Sequence, residues 1–265
     1  MNLLPLLFLL PALLGLVPPM QVSAAPARQI HLLRPVMGSA GAAVKVKGVS
    51  CSSWQFGVET NSLRGWNTVP AGCESYFGHY MMGRRYREDS RAVAAAAAEY
   101  ARGLQISSGG GKQIWVFDVD ETSLSNLPYY SRHGFGVEPF NATLFDTWVA
   151  TGTAPPLPES LKLYKELLSL GIKVVFLTGR AEEQRQITAS NLKKAGYYSW
   201  EKLILRGNGA LAHENALQFK SSERLKLTEQ GYRIVGNIGD QWSDILGSPE
   251  GERTFKLPDP LYYIS

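Results

Sequence analysis

The sequence predicts an α/β fold: a Rossmann-like parallel sheet with flanking helices, a small cap and a helical extension on its N-terminal side. Three observations carry that reading. Short, apolar, β-prone runs recur after residue 112; each ends in polar or acidic residues; and helix-like segments separate them. Apolar runs that alternate with helices indicate parallel strands buried on both faces. In such a sheet, ligands bind at the carboxyl ends of the strands.

Taken in order, residues 1–16 are apolar with no Lys or Arg, and Val22-Ser23-Ala24 supplies small residues for a cut after Ala24. That is the form of a signal peptide over residues 1–24. Pro5, Pro11 and the shortness of the run argue against a membrane span. The expected mature protein starts near Ala25, follows the secretory route to the cell wall or vacuole, and has no stable membrane insertion. Residues 25–50 read as a variable segment, and residues 51–111 as a helical and aromatic extension. Within these stretches, Gln29 to Gly57 reads as irregular, and Gly57 to Tyr86 as rich in aromatics and turn residues. Arg87 to Leu104 predicts a helix, because alanine is the best helix former, with Glu88 and Asp89 near its start and Arg102 at its end. Ser107 to Gly111 reads as a linker ahead of a core over residues 112–265.

In the core, strands are expected at Gln113–Phe117, Lys173–Leu177, Leu203–Leu205 and Arg233–Ile238, with a further one near Arg253–Leu257. Helices are expected at Leu157–Leu170, Ala181–Ala195 and Ser221–Gln230. About 35 residues separate Asp120 from the helix near Leu157, too few for a large cap.

Composition narrows the classes. The 265 residues are 45% hydrophobic, which excludes a disordered chain, and the net charge of +4 with no run of five basic residues speaks against a nucleic-acid partner. Cys51 and Cys73 are the only cysteines, and in an oxidising compartment they predict one disulfide, the alternative being two buried thiols. Asn141-Ala142-Thr143 is the single sequon and marks Asn141 for N-glycosylation. A homodimer is left open.

The chemistry sits at the strand ends. The first strand delivers Asp118 and Asp120, two carboxylates two residues apart. The plain alternative is a turn in which acids leave the sheet. Asp118 directly follows the strand, however, and an unpaired acid there is costly unless a cation neutralises it, which favours a hard, oxygen-bound ion. The second strand delivers Thr178-Gly179-Arg180 where a helix is expected to begin, so the segment is either an anion site or an N-cap. Lys220, placed ahead of a helix, is singled out only by its order in the chain. The fourth strand delivers Asp240 and Asp244; with a helix starting at Gln241, Asp240 would cap it and Asp244 would lie one turn along.

Together, Trp115-Val116-Phe117-Asp118-Val119-Asp120-Glu121-Thr122, Phe176-Leu177-Thr178-Gly179-Arg180, Phe219-Lys220-Ser221 and Gly236-Asn237-Ile238-Gly239-Asp240-Gln241-Trp242-Ser243-Asp244 resemble the haloacid dehalogenase-like superfamily. Their wording is closest to its plant acid phosphatase branch, which includes the vegetative storage proteins, and the resemblance runs from about Cys51 to the C-terminus. It implies that Asp118 is the nucleophile that forms an aspartyl-phosphate and that Asp120 is the acid and then the base. It implies Mg²⁺ held by Asp118, the backbone carbonyl of Asp120 and Asp240, with Asp244 as a further or water-mediated ligand, and Thr178 and Lys220 on the phosphoryl oxygens. The implied substrates are small phosphomonoesters, and the implied protein is a secreted or vacuolar acid phosphatase. The alternative is a storage glycoprotein with incidental activity. Some storage relatives lack the nucleophilic Asp, whereas this chain keeps it. His133 is the best outside candidate for a leaving-group contact, and the aromatics around it are expected either to stack on substrate or to pack on the N-terminal helices.

Overall fold

Side chains alternate across a strand, and in the first core strand both sets are buried. The computed structural model describes residues 45–46, 48–106, 111–207 and 215–264. A two-stranded hairpin, β1 (Lys45–Val46) and β2 (Val49–Ser50), leads into helices α1 (Cys51–Glu59), α2 (Glu74–Met82) and α3 (Arg84–Arg102). Then follow β3 (Gln113–Phe117), α4 (Leu127–Tyr130), α5 (Ala142–Ala150), α6 (Pro158–Ser169), β4 (Lys173–Ala181), α7 (Arg185–Ala195), β5 (Lys202–Arg206), α8 (Ala216–Glu229), β6 (Arg233–Gly239), α9 (Trp242–Ile245) and β7 (Thr254–Lys256). The expected signal peptide, residues 1–24, and the Ser107–Gly110 part of the expected linker lie outside the described residues.

The five core strands form one parallel sheet in the order β5-β4-β3-β6-β7. Trp115 and Phe117 of β3 pack on one face with α3, α6 and Phe176 of β4, whereas Ile114 and Val116 pack on the other with Val175, Leu177, and Phe219 and Leu227 of α8. Both faces are therefore covered, as the continuous apolar strands required. β3 is central, with β4 on one side and β6 on the other, so the chain reverses its direction of travel across the sheet there. That is the switch point at which a crevice opens.

The expected strands are all present, two of them longer: β4 runs on to Ala181 and β6 to Gly239. The N-terminal region differs most. The stretch read as irregular carries α1, capped by Ser50 Oγ accepting from Ser53 N, and the turn-rich stretch carries α2. Their apolar spacing is masked because the buried side chains are aromatic and converge on the Cys51–Cys73 disulfide rather than forming a stripe: Trp54 meets Trp66 and Phe77 edge-on. Helix α3 starts at Arg84, three residues early, and turns its small residues Ala94, Ala97, Ala98 and Ala101 inward. It is clamped to α6 by Arg87 on buried Glu159 (2.8 Å) and Arg102 on Glu166 (2.6 Å). Arg84 and Arg85 pair with Glu88 and Asp89 on the exposed side. Helix α8 starts five residues earlier than expected because Asn215 and Gln218 form a reciprocal capping box. Among the described residues no helix is long and apolar enough to cross a membrane.

The disulfide closes a loop of 22 residues. On the chain-entropy estimate this is worth about 3 kcal/mol. Reduction should lower the thermal midpoint while leaving turnover at moderate temperature intact, because the bond sits among α1 and α2 and neither cysteine belongs to the acid cluster. Parallel melting and activity measurements with and without reductant check this.

Candidate active site

Asp118 continues β3 by one residue: its N–H still donates to Ile238 O of β6 (3.1 Å), and its own carbonyl accepts from Ser123 Oγ (2.6 Å). The backbone is thus pinned on both sides, with the carboxylate at the rim of the central strand. Asp240 and Asp244 come from the end of β6, and one oxygen of each of the three acids lies within 4.8 Å of the others, all buried. Gly239 makes this possible. A Cβ there would lie 2.2 Å from Asp244 Cβ, so only glycine lets Asp244 fold back against the strand end. Asp244 then accepts from Gln241 N (2.8 Å), and its backbone carbonyl is held by Asn237 Nδ2 (2.9 Å) and Arg224 Nη1 (2.7 Å). The N-cap of α9 is therefore Gln241, not Asp240 as its sequence position suggested.

Lys220 is not ahead of its helix but in the second turn of α8, buried, with its ammonium donating to Asp118 Oδ1 (2.6 Å) and to Asp244 Oδ1. Burial would lower its pKa, but the two carboxylates hold it above its ordinary value. Burial pushes Asp118 well up, reinforced by Asp244, Asp240 and Asp120 against the pull of Lys220. Asp240 is raised likewise by burial, then by Asp244 and Asp259. Three buried acids around one ammonium leave excess negative charge and an all-oxygen donor set. These residues fit a hard divalent cation.

Thr178-Gly179-Arg180 lies within β4, and α7 does not begin until Arg185, after a 3-10 turn over Glu182–Gln184, so no α-helix starts directly at this segment. Thr178 is buried, with Oγ1 accepting from Arg180 N (3.1 Å). Gly179 is exposed, and a Cβ there would meet nothing within 4 Å, which leaves open space beside its backbone.

Asp120 occupies a different environment from Asp118. Arg180 donates to it from Nη2 (2.7 Å) and Nε (3.0 Å), and Asn126 Nδ2 donates to Oδ1 (2.8 Å). Burial alone would raise its pKa; the Arg180 charge and hydrogen bonds, with Asn126, outweigh it and hold Asp120 below its usual range. Asn126 is fixed by Trp148 Nε1 of α5 donating to its Oδ1 (2.8 Å), which ties α5 to Asp120. The next residue, Glu121, has φ +51, a left-handed conformation that costs a non-glycine residue free energy and clusters at functional sites. Its buried carboxylate accepts from Asn126 Nδ2 (2.9 Å) and Tyr262 OH (3.2 Å).

Arg180 stands in the Thr178-Gly179-Arg180 segment with no role expected from the sequence. Its spacing of two from Thr178 on a strand was the available signal, since it puts both side chains on one side. Asn126, Glu121 and Tyr262 carried no comparable signal. His133 stays outside this constellation, bonded to Glu138 (3.1 Å) and packed on Tyr129. The nearby aromatics pack mainly on one another, with Phe135 against Gly78 of α2. Asn141 is exposed and caps α5 through Oδ1, which accepts from Leu144 N (3.1 Å).

A profile of HAD superfamily subfamily IIIB (acid phosphatase) matches residues 38–265. The Stem 28 kDa glycoprotein of Glycine max is 49% identical over 231 residues, spanning 87% of this chain and 90% of its own. Acid phosphatase 1 of Solanum lycopersicum is 50% identical over 216 residues, 82% and 84% of the two chains. Vegetative storage protein 2 of Arabidopsis thaliana is 40% identical over 223 residues, 83% of each. Among solved structures, the class C acid phosphatase from Bacillus anthracis superposes with a TM-score of 0.58 at 18% identity, covering 80% of this chain and 86% of that one.

The acid cluster fixes a pH response. Asp118, Glu121, Asp240 and Asp259 all have raised pKa values, chiefly through burial, so in the metal-free protein the folded state binds protons that the unfolded state has released. Stability then falls as pH rises above the ordinary carboxylate range. Urea unfolding of chelator-treated protein should show greater stability as pH drops from neutral toward that range; a flat profile would contradict the burial of ionised acids.

Proposed function

The chain belongs to subfamily IIIB of the HAD superfamily, the acid phosphatases, and on that premise we propose that it hydrolyses small phosphate monoesters through an aspartyl-phosphate on Asp118, with Mg²⁺ as its resident cation. The observation that supports this most directly is the contrast between two carboxylates two residues apart. Asp118 stands beside Lys220 and two further acids, and Asp120 is bound by Arg180 and Asn126. The two are held in separate environments; in the metal-free protein burial raises Asp118 while Arg180, against burial, lowers Asp120, the reverse of a nucleophile and an acid, so the roles rest on position, with Asp118 at the Lys220 and acid cluster and Asp120 beside it.

In the proposed sequence an Asp118 oxygen attacks phosphorus and the bond from phosphorus to the ester oxygen breaks. Asp120 gives its proton to that leaving oxygen. Water then attacks phosphorus and passes a proton back to Asp120, and the bond to Asp118 breaks to release phosphate. Dividing one displacement into two lowers each barrier. Lys220 and Thr178 hold the phosphoryl oxygens and offset charge in the transition state, and Gly179 leaves room for them. Asp118, the backbone carbonyl of Asp120, Asp240 and Asp244 would hold the cation, which, when bound, lets an anionic carboxylate approach an anionic phosphate.

The same reading assigns an N-glycan to exposed Asn141, whose cap uses Oδ1 and leaves Nδ2 for the sugar. The secretory route is supported by glycoprotein and storage-protein relatives. A storage role alongside catalysis fits those relatives too, and accumulation of the protein in storage tissue would be its measure.

Asp118→Asn should abolish turnover by several orders of magnitude while the protein stays folded. Asp120→Asn should be slowed more on alkyl than on aryl phosphates, because a good leaving group needs its proton less. Quenched Asp120→Asn protein should carry phosphate on the Asp118 peptide by mass spectrometry. Near-normal activity of Asp118→Asn would refute the covalent route, and turnover surviving thorough chelation would refute the cation.

Asp120 must be protonated to act as the acid, so kcat/KM falls as pH rises through its pKa. Arg180 holds that pKa low, which confines activity to acid pH. Arg180→Met removes the ion pair and leaves burial to raise the pKa, so the descending limb should move to higher pH, with reduced activity overall. An unmoved limb in the pH profile would take Asp120 out of the acid role.

A further inference from the structure

The C-terminal residues after β7 belong to no motif, yet they run across the strand ends. Leu257 N donates to Gly239 O (2.9 Å), which lays the segment beside the end of β6. Two side-chain ties hold it there: Gln241 Nε2 donates to Asp259 Oδ2 (2.9 Å), and Gln241 Oε1 accepts from Ile264 N (3.0 Å). Asp259 Oδ1 in turn accepts from Leu261 N (3.0 Å). The segment after α4 (Leu127–Tyr130) and α4 itself press on the same stretch. A Cβ at Gly136 would lie 2.0 Å from Leu261 O, and Tyr130 stacks on Tyr262 with ring centroids 5.5 Å apart and planes 20° from parallel.

The stack aims the Tyr262 hydroxyl between two carboxylates, 3.2 Å from Asp240 Oδ2 and 3.2 Å from Glu121 Oε2. Asp240 has two other side-chain donors: Thr122 Oγ1 reaches Oδ1 (2.8 Å), and Gln241 Nε2 reaches Oδ2 (3.0 Å). Thr122 comes from the loop after β3 and Gln241 is the next residue in the chain, so both are local to the motifs. Tyr262, whose single proton is shared between Asp240 and Glu121, is the third side-chain partner and comes from 22 residues further on. Asp240 is one of the three acids whose oxygens converge, and its orientation decides whether that convergence holds.

We propose that Tyr262 is a positioning residue of the active site: its hydroxyl, aimed by the Tyr130 stack and the C-terminal strap, fixes the rotation of the Asp240 carboxylate so that it is ready to bind the divalent cation. This rests on the cation reading above. Partners that orient a metal-binding carboxylate typically govern affinity by 10- to 100-fold. Tyr262→Phe keeps the ring on Tyr130 and removes one oxygen, so it tests the hydroxyl alone. Tyr263→Phe is the control on the same strap, since that ring leans on Trp66 at 6.2 Å and Tyr263 has no tie to Asp240 among the described contacts.

The experiment is a calorimetric titration of the full-length, metal-free protein with Mg²⁺, alongside the Mg²⁺ dependence of turnover. Tyr262→Phe should bind Mg²⁺ about tenfold more weakly. Its activation constant for Mg²⁺ should rise by the same factor, while turnover at saturating Mg²⁺ falls far less. Tyr263→Phe should match wild type. Unchanged Mg²⁺ affinity in Tyr262→Phe overturns the proposal alone, as does equal weakening in both variants, which would mean a loosened strap rather than a positioned carboxylate. A wild-type protein that does not bind Mg²⁺ overturns it together with the cation reading.

Discussion

The Lys220 ammonium, held between Asp118 and Asp244, is the contact on which the arrangement of the site depends. Buried carboxylates at a strand end repel one another and are poorly solvated, so they stay together only where a buried positive charge offsets both effects. Lys220 can supply it because α8 crosses the sheet face and delivers the side chain from inside the helix rather than from a loop. Its phenyl neighbour Phe219 anchors the same turn in the apolar layer with Ile114, Val116 and Val175. Packing on one face of the sheet thereby sets the position of a charge at its end.

A second cation makes the site asymmetric. Arg180 takes Asp120 as Lys220 takes Asp118, but a guanidinium offers a planar fork and an ammonium a point charge. The fork engages both oxygens of Asp120, whereas Lys220 is shared between two acids. One carboxylate is therefore held below its usual range while the other, pushed up by burial and then by its neighbouring acids against the pull of Lys220, stands above it. A spacing of two residues on an extended chain acquires two chemistries from the different residues facing each position.

The sheet was legible in the sequence because strands buried on both faces must be apolar throughout. The acids were legible because they break that rule at the last residue. Asp118 and Asp240 each follow the last residue of a strand, and Thr178 follows the apolar run of β4. Lys220 was legible only as an ordered residue, and its place inside α8 depends on a capping box at Asn215 that shifts the helix start. The helix expected over Ala181–Ala195 is present but starts later, as α7 at Arg185 after a 3-10 turn: β4 continues through Thr178-Gly179-Arg180, and Arg180 uses that extended geometry to reach Asp120. Asn126 and Tyr262 were not legible at all. They meet the motif residues only after a turn through the left-handed Glu121 and a C-terminal strap have been folded.

The clamp between α3 and α6 bears on how this protein could be dissected. The texture of the sequence changes after the glycine-rich linker, which invites a cut there to isolate a minimal hydrolase. Yet Glu159 of α6 is buried and takes its bidentate partner, Arg87, from the other side of that linker, and the alanine face of α3 covers the same helix. Helix α6 leads straight into β4. A fragment beginning at residue 112 would carry an uncompensated buried carboxylate and an uncovered apolar face beside the strand that supplies Thr178 and Arg180. The extension and the sheet constitute one inheritable unit, and any exchange of parts among such chains would have to carry both across together.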